Sequence, residues 1–66
     1  MEKINLKELR EAKGISQVQL AEEIGVNHRT ISQYENGKRE PDIQTIKKLC
    51  KYFNVTAGQL LGSEEL

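Results

Sequence analysis

The chain has 66 residues, 30% of them charged and 36% hydrophobic, and its ten Lys and Arg residues balance ten Asp and Glu residues. A chain of this length supports one domain with one small core, which excludes a two-lobed enzyme with a deep cleft. No run approaches the roughly 20 apolar residues that a membrane span needs, and the single cysteine excludes an internal disulfide framework, so we expect a reducing, cytoplasmic setting.

The first two predicted helices span approximately residues 5–13 and 16–24, where apolar residues recur at three- and four-residue intervals. Ser16 is predicted to cap the second helix, and Gln19 three residues later completes a capping box. A glycine follows each helix, and glycine readily takes the left-handed conformation of a helix end. Leu6, Leu9, Arg10 and Lys13 fall on one stripe of the first helix, and the predicted inward positions of the second are Leu20, Ala21 and Ile24.

Three further helices are predicted at approximately residues 27–36, 42–53 and 56–61. Asn27 and Asp42 are suited to cap the first two of these, and Thr56 with Gln59 makes a second capping box for the last. Their predicted inward positions are Ile31, Tyr34, Glu35, Ile43, Ile46, Leu49, Cys50 and Phe53. No period-two alternation persists, so the pattern indicates an all-α domain of five helices.

Residues able to carry catalysis or bind a metal are scarce in this sequence. There is one histidine, His28, and one cysteine, Cys50, and no glycine-rich phosphate loop. A structural zinc site needs four ligands, and a nucleophile needs a base and a third group that orients it. We therefore expect no enzyme activity, no metal and no cofactor, and we interpret Cys50 as a small core residue.

The stretch from Gln17 to Asn36 contains two short predicted helices that meet across a tight turn. Ala21 lies where the helices would approach closely, and Gly25 lies where the turn needs a positive φ. The inward positions that would hold the two crossing helices on a neighbour are Leu20, Ile24, Val26, Ile31 and Tyr34. This spacing is typical of a helix-turn-helix, and a chance amphipathic hairpin is the alternative.

Four motifs extend this pattern over most of the chain. They are LKELR at residues 6–10, SQVQLA at 16–21, ISQYENG at 31–37 followed by Pro41, and FNV at 53–55. Residues 6–61 thereby resemble the phage repressor and Cro type of helix-turn-helix domain, also called the XRE-like family. The resemblance implies a compact, lambda-repressor-like bundle whose third helix enters the major groove of double-stranded DNA. It also implies a homodimer on a near-palindromic operator.

The outward face of the third helix carries the candidates for base recognition. The N-terminal part of a recognition helix meets base edges, so we predict that His28, Arg29 and Gln33 read bases. The Arg29 guanidinium suits guanine O6 and N7, and the Gln33 amide suits adenine N6 and N7. His28 could instead donate to a phosphate or simply occupy the first turn. A solvated polar face without a ligand is the alternative for all three residues.

Phosphate contacts are predicted on both sides of this helix, where they would set the register of the protein on DNA. Gln17 begins the second helix, and its amide with nearby backbone N–H groups could hold a phosphate there. The other candidates, of which the last three are implied by the resemblance, are Asn27, Ser32, Asn36, Lys38 and Arg39. The lysines at positions 47, 48 and 51 are interpreted as a solvated face of the fourth helix.

Arg10 and Glu35 occupy predicted inward positions and carry opposite charges. An unpaired buried charge is costly, so we predict a largely buried ion pair that ties the first helix to the third. The resemblance implies the same pair. The alternative is two independent rim charges that extend outward to solvent.

The zero net charge hides an uneven distribution along the chain. Residues 26–55 carry six basic and three acidic side chains, whereas residues 56–66 carry two acidic and no basic ones. The positive excess lies in the segment that holds the predicted recognition helix. Neutrality therefore does not exclude DNA, although it indicates weak non-specific attraction and greater dependence on dimerisation and base readout.

Assembly and function leave alternatives open. Candidates for a dimer interface near the end of the chain are Val55, Leu60, Leu61 and Leu66, although Leu60 and Leu61 could equally close the core. The leading interpretation is a DNA-binding transcription repressor. The alternative is a protein-interaction module, such as a toxin-neutralising antitoxin that also binds DNA, which an apolar groove or an extra tail would mark. The 66 residues could be the whole regulator or the head of a longer one.

Overall fold

The computed structural model of the protein describes residues 4–65, and in that range the secondary structure is helical with no strand. The five helices are α1 (Leu6–Lys13), α2 (Gln17–Ile24), α3 (His28–Glu35), α4 (Ile43–Phe53) and α5 (Ala57–Leu61). The prediction of an all-α, five-helix fold is confirmed. Each predicted range also included the N-cap residue, so the observed helices begin one residue later. None of the described helices is long and apolar enough to cross a membrane.

Four of the five helices begin at a side-chain cap. Ser16 and Thr56 each accept a hydrogen bond at 3.0 Å from the backbone N–H three residues on, and the glutamine there bonds back, so both capping boxes are present. Asn27 caps α3 and Asp42 caps α4. Hydrogen bonds from Thr45 hold the pKa of the Asp42 carboxyl below its ordinary value. The caps therefore account for where these helices start.

Four of the five helices, all except α3, end at a residue with left-handed backbone angles. α2 ends at Gly25, whose φ is 84°, and a Cβ there would meet nothing within 4 Å, so the backbone angle and not the available space favours glycine. α4 ends differently, at Asn54 with a φ of 56°. Asparagine tolerates this conformation better than most residues. The predicted range ended correctly at residue 53, but Asn54 was not predicted to be the left-handed cap.

The core is built evenly from the helices. The five fully buried large side chains come one from each helix, and they are Leu6, Leu20, Ile31, Leu49 and Leu60. Ala21, Ile24 and Tyr34 complete the buried apolar cluster. Burying one such aliphatic side chain stabilises the fold by about 1.5–3 kcal/mol. Since every helix contributes to one cluster, the position of each helix depends on the others.

Ile43 was predicted to face inward, and this prediction is wrong. Its exposed fraction is 72%. Exposure falls along α4 from Ile43 through the half-buried Ile46 to the fully buried Leu49. The first turn of α4 thus extends past the packed part of the core, which periodicity alone does not reveal.

The burial of the residues near the end of the chain corrects part of the predicted dimer interface. Leu60 is fully buried, so it closes the core and is not available to a partner. Leu61 is 42% exposed, whereas Val55 is half-buried and packs against the core. Leu66 lies outside the described residues.

Two hydrogen bonds donated by Asn5 join the two ends of the fold. The Asn5 backbone N–H donates to the Leu60 carbonyl at 2.8 Å, and Asn5 Nδ2 donates to the Gln59 carbonyl, also at 2.8 Å. Asn5 consequently does not cap α1 with its side chain. These two bonds hold α5 against the start of α1, so the short fifth helix is part of the same unit as the first three.

Candidate nucleic-acid interface

A three-residue turn, residues 25–27, connects α2 to α3. The N–H groups of Gly25 and Val26 both donate to the Ala21 carbonyl, at 2.8 and 3.0 Å. Ala21 is only 3% exposed, in keeping with the prediction of a small residue at a close approach of the two helices. The turn therefore fixes the direction in which α3 leaves α2 and, with it, the face of α3 that meets solvent.

That solvent face holds the three residues predicted to read bases. His28, Arg29 and Gln33 are all exposed, while Ile31, Tyr34 and Glu35 on the same helix are buried. Within residues 4–65, none of the three exposed side chains is held by a hydrogen bond or an ion pair to the rest of the domain. Their polar atoms are thus available to an external partner.

The predicted phosphate contacts after α3 lie on a backbone held by hydrogen bonds. The N–H of Lys38 donates to the Gln33 carbonyl at 2.9 Å, and the N–H of Gly37 donates to the Tyr34 carbonyl at 3.2 Å. The side chains of Lys38 and Arg39 are exposed. The loop therefore presents two cations beside the outward face of α3 from a defined position.

The polar residues near the two ends of α3 have internal partners as well. Asn27 uses its side-chain oxygen to accept from the Arg29 N–H at 2.8 Å, which leaves its amide N–H groups as donors. At the other end, Asn36 Nδ2 donates to the hydroxyl of the half-buried Ser32 at 3.3 Å. Both asparagines are exposed, so these bonds orient their side chains without removing them from the surface.

Arg10 and Glu35 form an ion pair between α1 and α3. Arg10 Nε donates to Glu35 Oε2 at 2.7 Å, and Arg10 Nη2 donates to Oε1 at 3.2 Å. The side chains are 13% and 3% exposed, which excludes the alternative of two independent rim charges. The hydrogen bond to Glu35 raises the pKa of the Arg10 guanidinium above its ordinary value.

Gln17 does not lie free at the start of α2. It is half-buried, and its Nε2 donates to Glu35 Oε1 at 3.1 Å. The sequence predicted Gln17 only as a phosphate contact, and no signal along the chain could have shown the link to Glu35. The contact exists because α2 crosses α3 so that residues 18 positions apart meet.

The histidine and the cysteine lie on different helices, with His28 at the start of α3 and Cys50 in α4. Cys50 packs against the core, and burial raises the pKa of its thiol. A thiol with a raised pKa is a weak nucleophile because less of it is ionised. Within the described residues, no group of three or more His, Cys, Asp or Glu side chains could hold a metal ion. The lysines of α4, at positions 47, 48 and 51, are exposed, in keeping with a solvated face.

An apolar groove of about 320 Å³ lies behind the loop that follows α3. Tyr34, Pro41, Ile46 and Leu61 contribute to its walls, and Arg39 and Glu40 add one charge of each sign. The groove joins the predicted phosphate-contacting loop to the exposed residue at the end of α5.

Comparison with known proteins agrees with this geometry. The family whose model matches is described as helix-turn-helix, and the match covers residues 6–60. The transcriptional activator BcrR of Enterococcus faecalis is 43% identical over 61 residues, covering 92% of this chain and 30% of BcrR. The CTXphi phage transcriptional repressor RstR of Vibrio cholerae is 32% identical over 60 residues, covering 91% of this chain and 54% of RstR.

Two further likenesses bear on function. The antitoxin PezA of Streptococcus pneumoniae is 29% identical over 62 residues, covering 94% of this chain and 39% of PezA. The crystal structure of a transcriptional regulator from Listeria innocua superposes with a TM-score of 0.84 at 32% identity, covering 94% of this chain and 58% of that one. The chain thus spans about a third to a half of the length of the curated relatives it matches.

Proposed function

Because this chain belongs to the XRE-type helix-turn-helix family, we propose that it is a sequence-specific DNA-binding transcription regulator that inserts α3 into the major groove. The observation that carries the proposal is the outward face of α3. Three exposed polar side chains, His28, Arg29 and Gln33, lie on the helix whose other face is buried in the core. A rigid helix with free polar side chains on one face suits the width and donor–acceptor pattern of the major groove.

The chemistry of these side chains suggests separate roles. Arg29 would donate in a bidentate manner to guanine O6 and N7, and Gln33 would pair with adenine N6 and N7. His28, in the first turn of α3, would meet a base edge or a phosphate. Because Arg29 is the charged member of the set, we expect it to contribute most to discrimination between bases.

Contacts to phosphate would flank this base-reading surface. The main candidates are Gln17 at the start of α2 and the exposed Lys38 and Arg39 after α3. The polar side chains of Asn27, Ser32 and Asn36 would add further contacts at the two ends of α3. The positive excess of residues 26–55 supports this placement, because phosphate neutralisation supplies the sequence-independent part of binding.

We propose repression as the mode of regulation, with the protein acting in the cytoplasm where DNA is accessible to it. Repression by occupying an operator needs nothing more than DNA binding, which the described domain would supply by itself. RstR is named a repressor, whereas BcrR is named an activator and is more than three times as long as the segment it shares with this chain.

A homodimer would double the base contacts on a near-palindromic operator. With Leu60 in the core, Leu61 is the main interface candidate, and Val55 lies half-buried in the connection before α5. The apolar groove lined in part by Leu61 gives a second copy a surface to fill.

An antitoxin is the second candidate, and two observations favour it. PezA shares 29% identity, and the apolar groove is the kind of surface that a toxin could occupy. Of the named relatives, BcrR and RstR are more similar to this chain and are transcription regulators. The regulator is therefore the better supported proposal.

The test of the proposed function is selection of bound sequences from random duplexes, followed by binding measurements across a series of salt concentrations. We expect a two-fold symmetric motif and an affinity that falls steeply with salt. Failure to enrich any sequence at low salt would contradict sequence-specific DNA binding.

Two substitutions separate base contacts from phosphate contacts. Arg29→Ala should weaken binding to the selected motif by about 1–3 kcal/mol and relax one base position in each half-site. Lys38→Ala should weaken all sequences alike and reduce the salt slope by about one. Lys47→Ala on the exposed face of α4 is the matched control and should change neither. An unchanged motif for Arg29→Ala would show that its assigned role is wrong.

A further inference from the structure

Gln17, Glu35 and Arg10 form one hydrogen-bonded chain that joins the first three helices. Glu35 Oε1 accepts from both Gln17 Nε2 at 3.1 Å and Arg10 Nη2 at 3.2 Å, while Oε2 accepts from Arg10 Nε at 2.7 Å. From this geometry, and resting on the proposed function, we propose that Glu35 is a positioning residue for DNA binding. It holds the amide of Gln17 in the orientation that a backbone phosphate requires.

The chemistry of the two groups sets the orientation of the amide. An ionised carboxylate only accepts hydrogen bonds, so Gln17 must turn its nitrogen and not its oxygen toward Glu35. The amide nitrogen carries two hydrogens, and Glu35 uses one of them. The second remains available to an acceptor at the surface, and a phosphate oxygen is such an acceptor. Without Glu35, the amide could rotate and present its oxygen, which would repel the phosphate.

Backbone donors lie at the same place. The capping box at the start of α2 satisfies the N–H groups of Ser16 and Gln19. Gln17 and Val18 lie between these two residues, and within the described part of the chain their backbone N–H groups have no hydrogen-bond partner. They belong to the first turn of an eight-residue helix, where N–H groups point out along the axis. A phosphate held by the Gln17 amide would therefore also meet these donors.

Arg10 completes the arrangement by balancing the charge. A lone carboxylate beside a phosphate site would repel the ligand, but the guanidinium supplies Glu35 with two hydrogen bonds and one positive charge. A third bond, from Arg10 Nη1 to the Ile15 carbonyl at 3.0 Å, ties the guanidinium to the loop before α2. Glu35 can thus orient Gln17 without weakening the attraction for an anion.

The decisive experiment is a double-mutant cycle measured as affinity for a fixed duplex of mixed sequence at low salt. Gln17→Ala is introduced into the wild-type protein and into an Arg10→Met/Glu35→Leu background, in which no charge is left without a partner. We expect a loss of about tenfold in the wild type, in line with a hydrogen bond to a charged group. In the second background we expect a loss below about threefold, since the amide is no longer oriented.

Gln44→Ala, at an exposed position of α4, is the matched control and should leave the affinity unchanged in both backgrounds. The same loss for Gln17→Ala in both backgrounds would overturn the proposal, because Gln17 would then act independently of Glu35. An affinity unchanged by Gln17→Ala in the wild type would overturn it as well. A wild-type protein that binds no duplex would instead contradict the proposed function, and this inference would fall with it.

A measurement on the wild-type protein covers the case in which the background variant does not fold. The two side-chain amide protons of Gln17 are resolved by nitrogen-edited NMR. We expect the proton that faces Glu35 to keep its shift when the duplex is added and the outward proton to move. Equal movement of both protons, or movement of neither, would overturn the proposal.

Discussion

The half of the molecule formed by α1–α3 and the half formed by α4 and α5 are held in different ways. Between the first three helices, polar side chains contact one another below the surface, through Arg10, Gln17 and Glu35. The last two helices join the domain by apolar packing of Leu49 and Leu60 and by the bonds from Asn5. The polar contacts among the first three helices are directional and would orient the groups that meet DNA, whereas apolar packing is non-directional.

The exposed surfaces of the two halves also differ in polarity. α3 presents polar and charged side chains to solvent. The largest exposed apolar fraction, 72%, belongs to Ile43 of α4, against 49% for Val18 of α2 and 42% for Leu61 of α5. A polar, oriented surface suits a phosphate backbone and base edges, and an apolar edge suits a protein partner. The two halves are therefore proposed to bind DNA and a second copy of the chain, respectively.

The largest effect is expected where the polar network is broken. Arg10→Met leaves the Glu35 carboxylate without its main partner in a site only 3% exposed. We expect the free energy of unfolding to fall by about 3–5 kcal/mol, measured by urea unfolding. Lys7→Met, at an exposed position of the same helix, is the control and should have little effect. The Arg10→Met/Glu35→Leu variant leaves no buried charge without a partner. Its free energy of unfolding should therefore recover most of the loss caused by Arg10→Met. A near-wild-type Arg10→Met would mean that the pair contributes little.

A smaller but still large effect is expected in the apolar half. Leu60→Ala removes a fully buried side chain and leaves a cavity, so we expect a loss of about 2–5 kcal/mol in the same unfolding measurement. Leu61→Ala next to it is the control, and because Leu61 is 42% exposed, the loss should be much smaller. Equal losses for the two variants would contradict the division between core and surface at the end of α5.

The smallest effect on stability is expected from Leu61→Ser, which should act on assembly. If Leu61 contacts a second copy, the substitution should shift the protein toward monomer in sedimentation equilibrium while its unfolding changes little. Val18→Ser is the control, since Val18 is a comparably exposed apolar residue, at 49%, on α2 and outside the proposed interface. A wild-type protein that stays monomeric at all concentrations, or an equal shift for Val18→Ser, would rule out the proposed interface.

Local features of the chain were predictable because they depend on neighbours in sequence. The five helices follow from three- and four-residue spacing, and their starts follow from caps such as Ser16 and Thr56, whose partners lie three residues away. The exposed face of α3 follows from the burial of Ile31, Tyr34 and Glu35 on its other side. The roles of His28, Arg29 and Gln33 toward DNA remain predictions.

Features that depend on how the helices meet were not predictable. Leu60 and Leu61 are adjacent residues of the same type. The packing of α5 against α4 and its hydrogen bonds to Asn5 decide that Leu60 is buried and Leu61 exposed. Ile43 fits the inward spacing of α4, but the core does not reach the first turn of that helix. Periodicity identifies a face of a helix and not how far the neighbouring helices cover it.

At the proposed binding surface, the sequence predicted one contact of Glu35 and not the other. Opposite charges at inward positions were enough to predict that Arg10 and Glu35 meet, because a buried charge needs a partner. Gln17 is neutral, so no such requirement pointed to Glu35. The amino-acid sequence thus determines the helices, their caps and the need for an ion pair, since these follow from spacing and charge. Only the crossing of α2 and α3 decides which polar group shares that pair, because the contact joins residues brought together by packing alone.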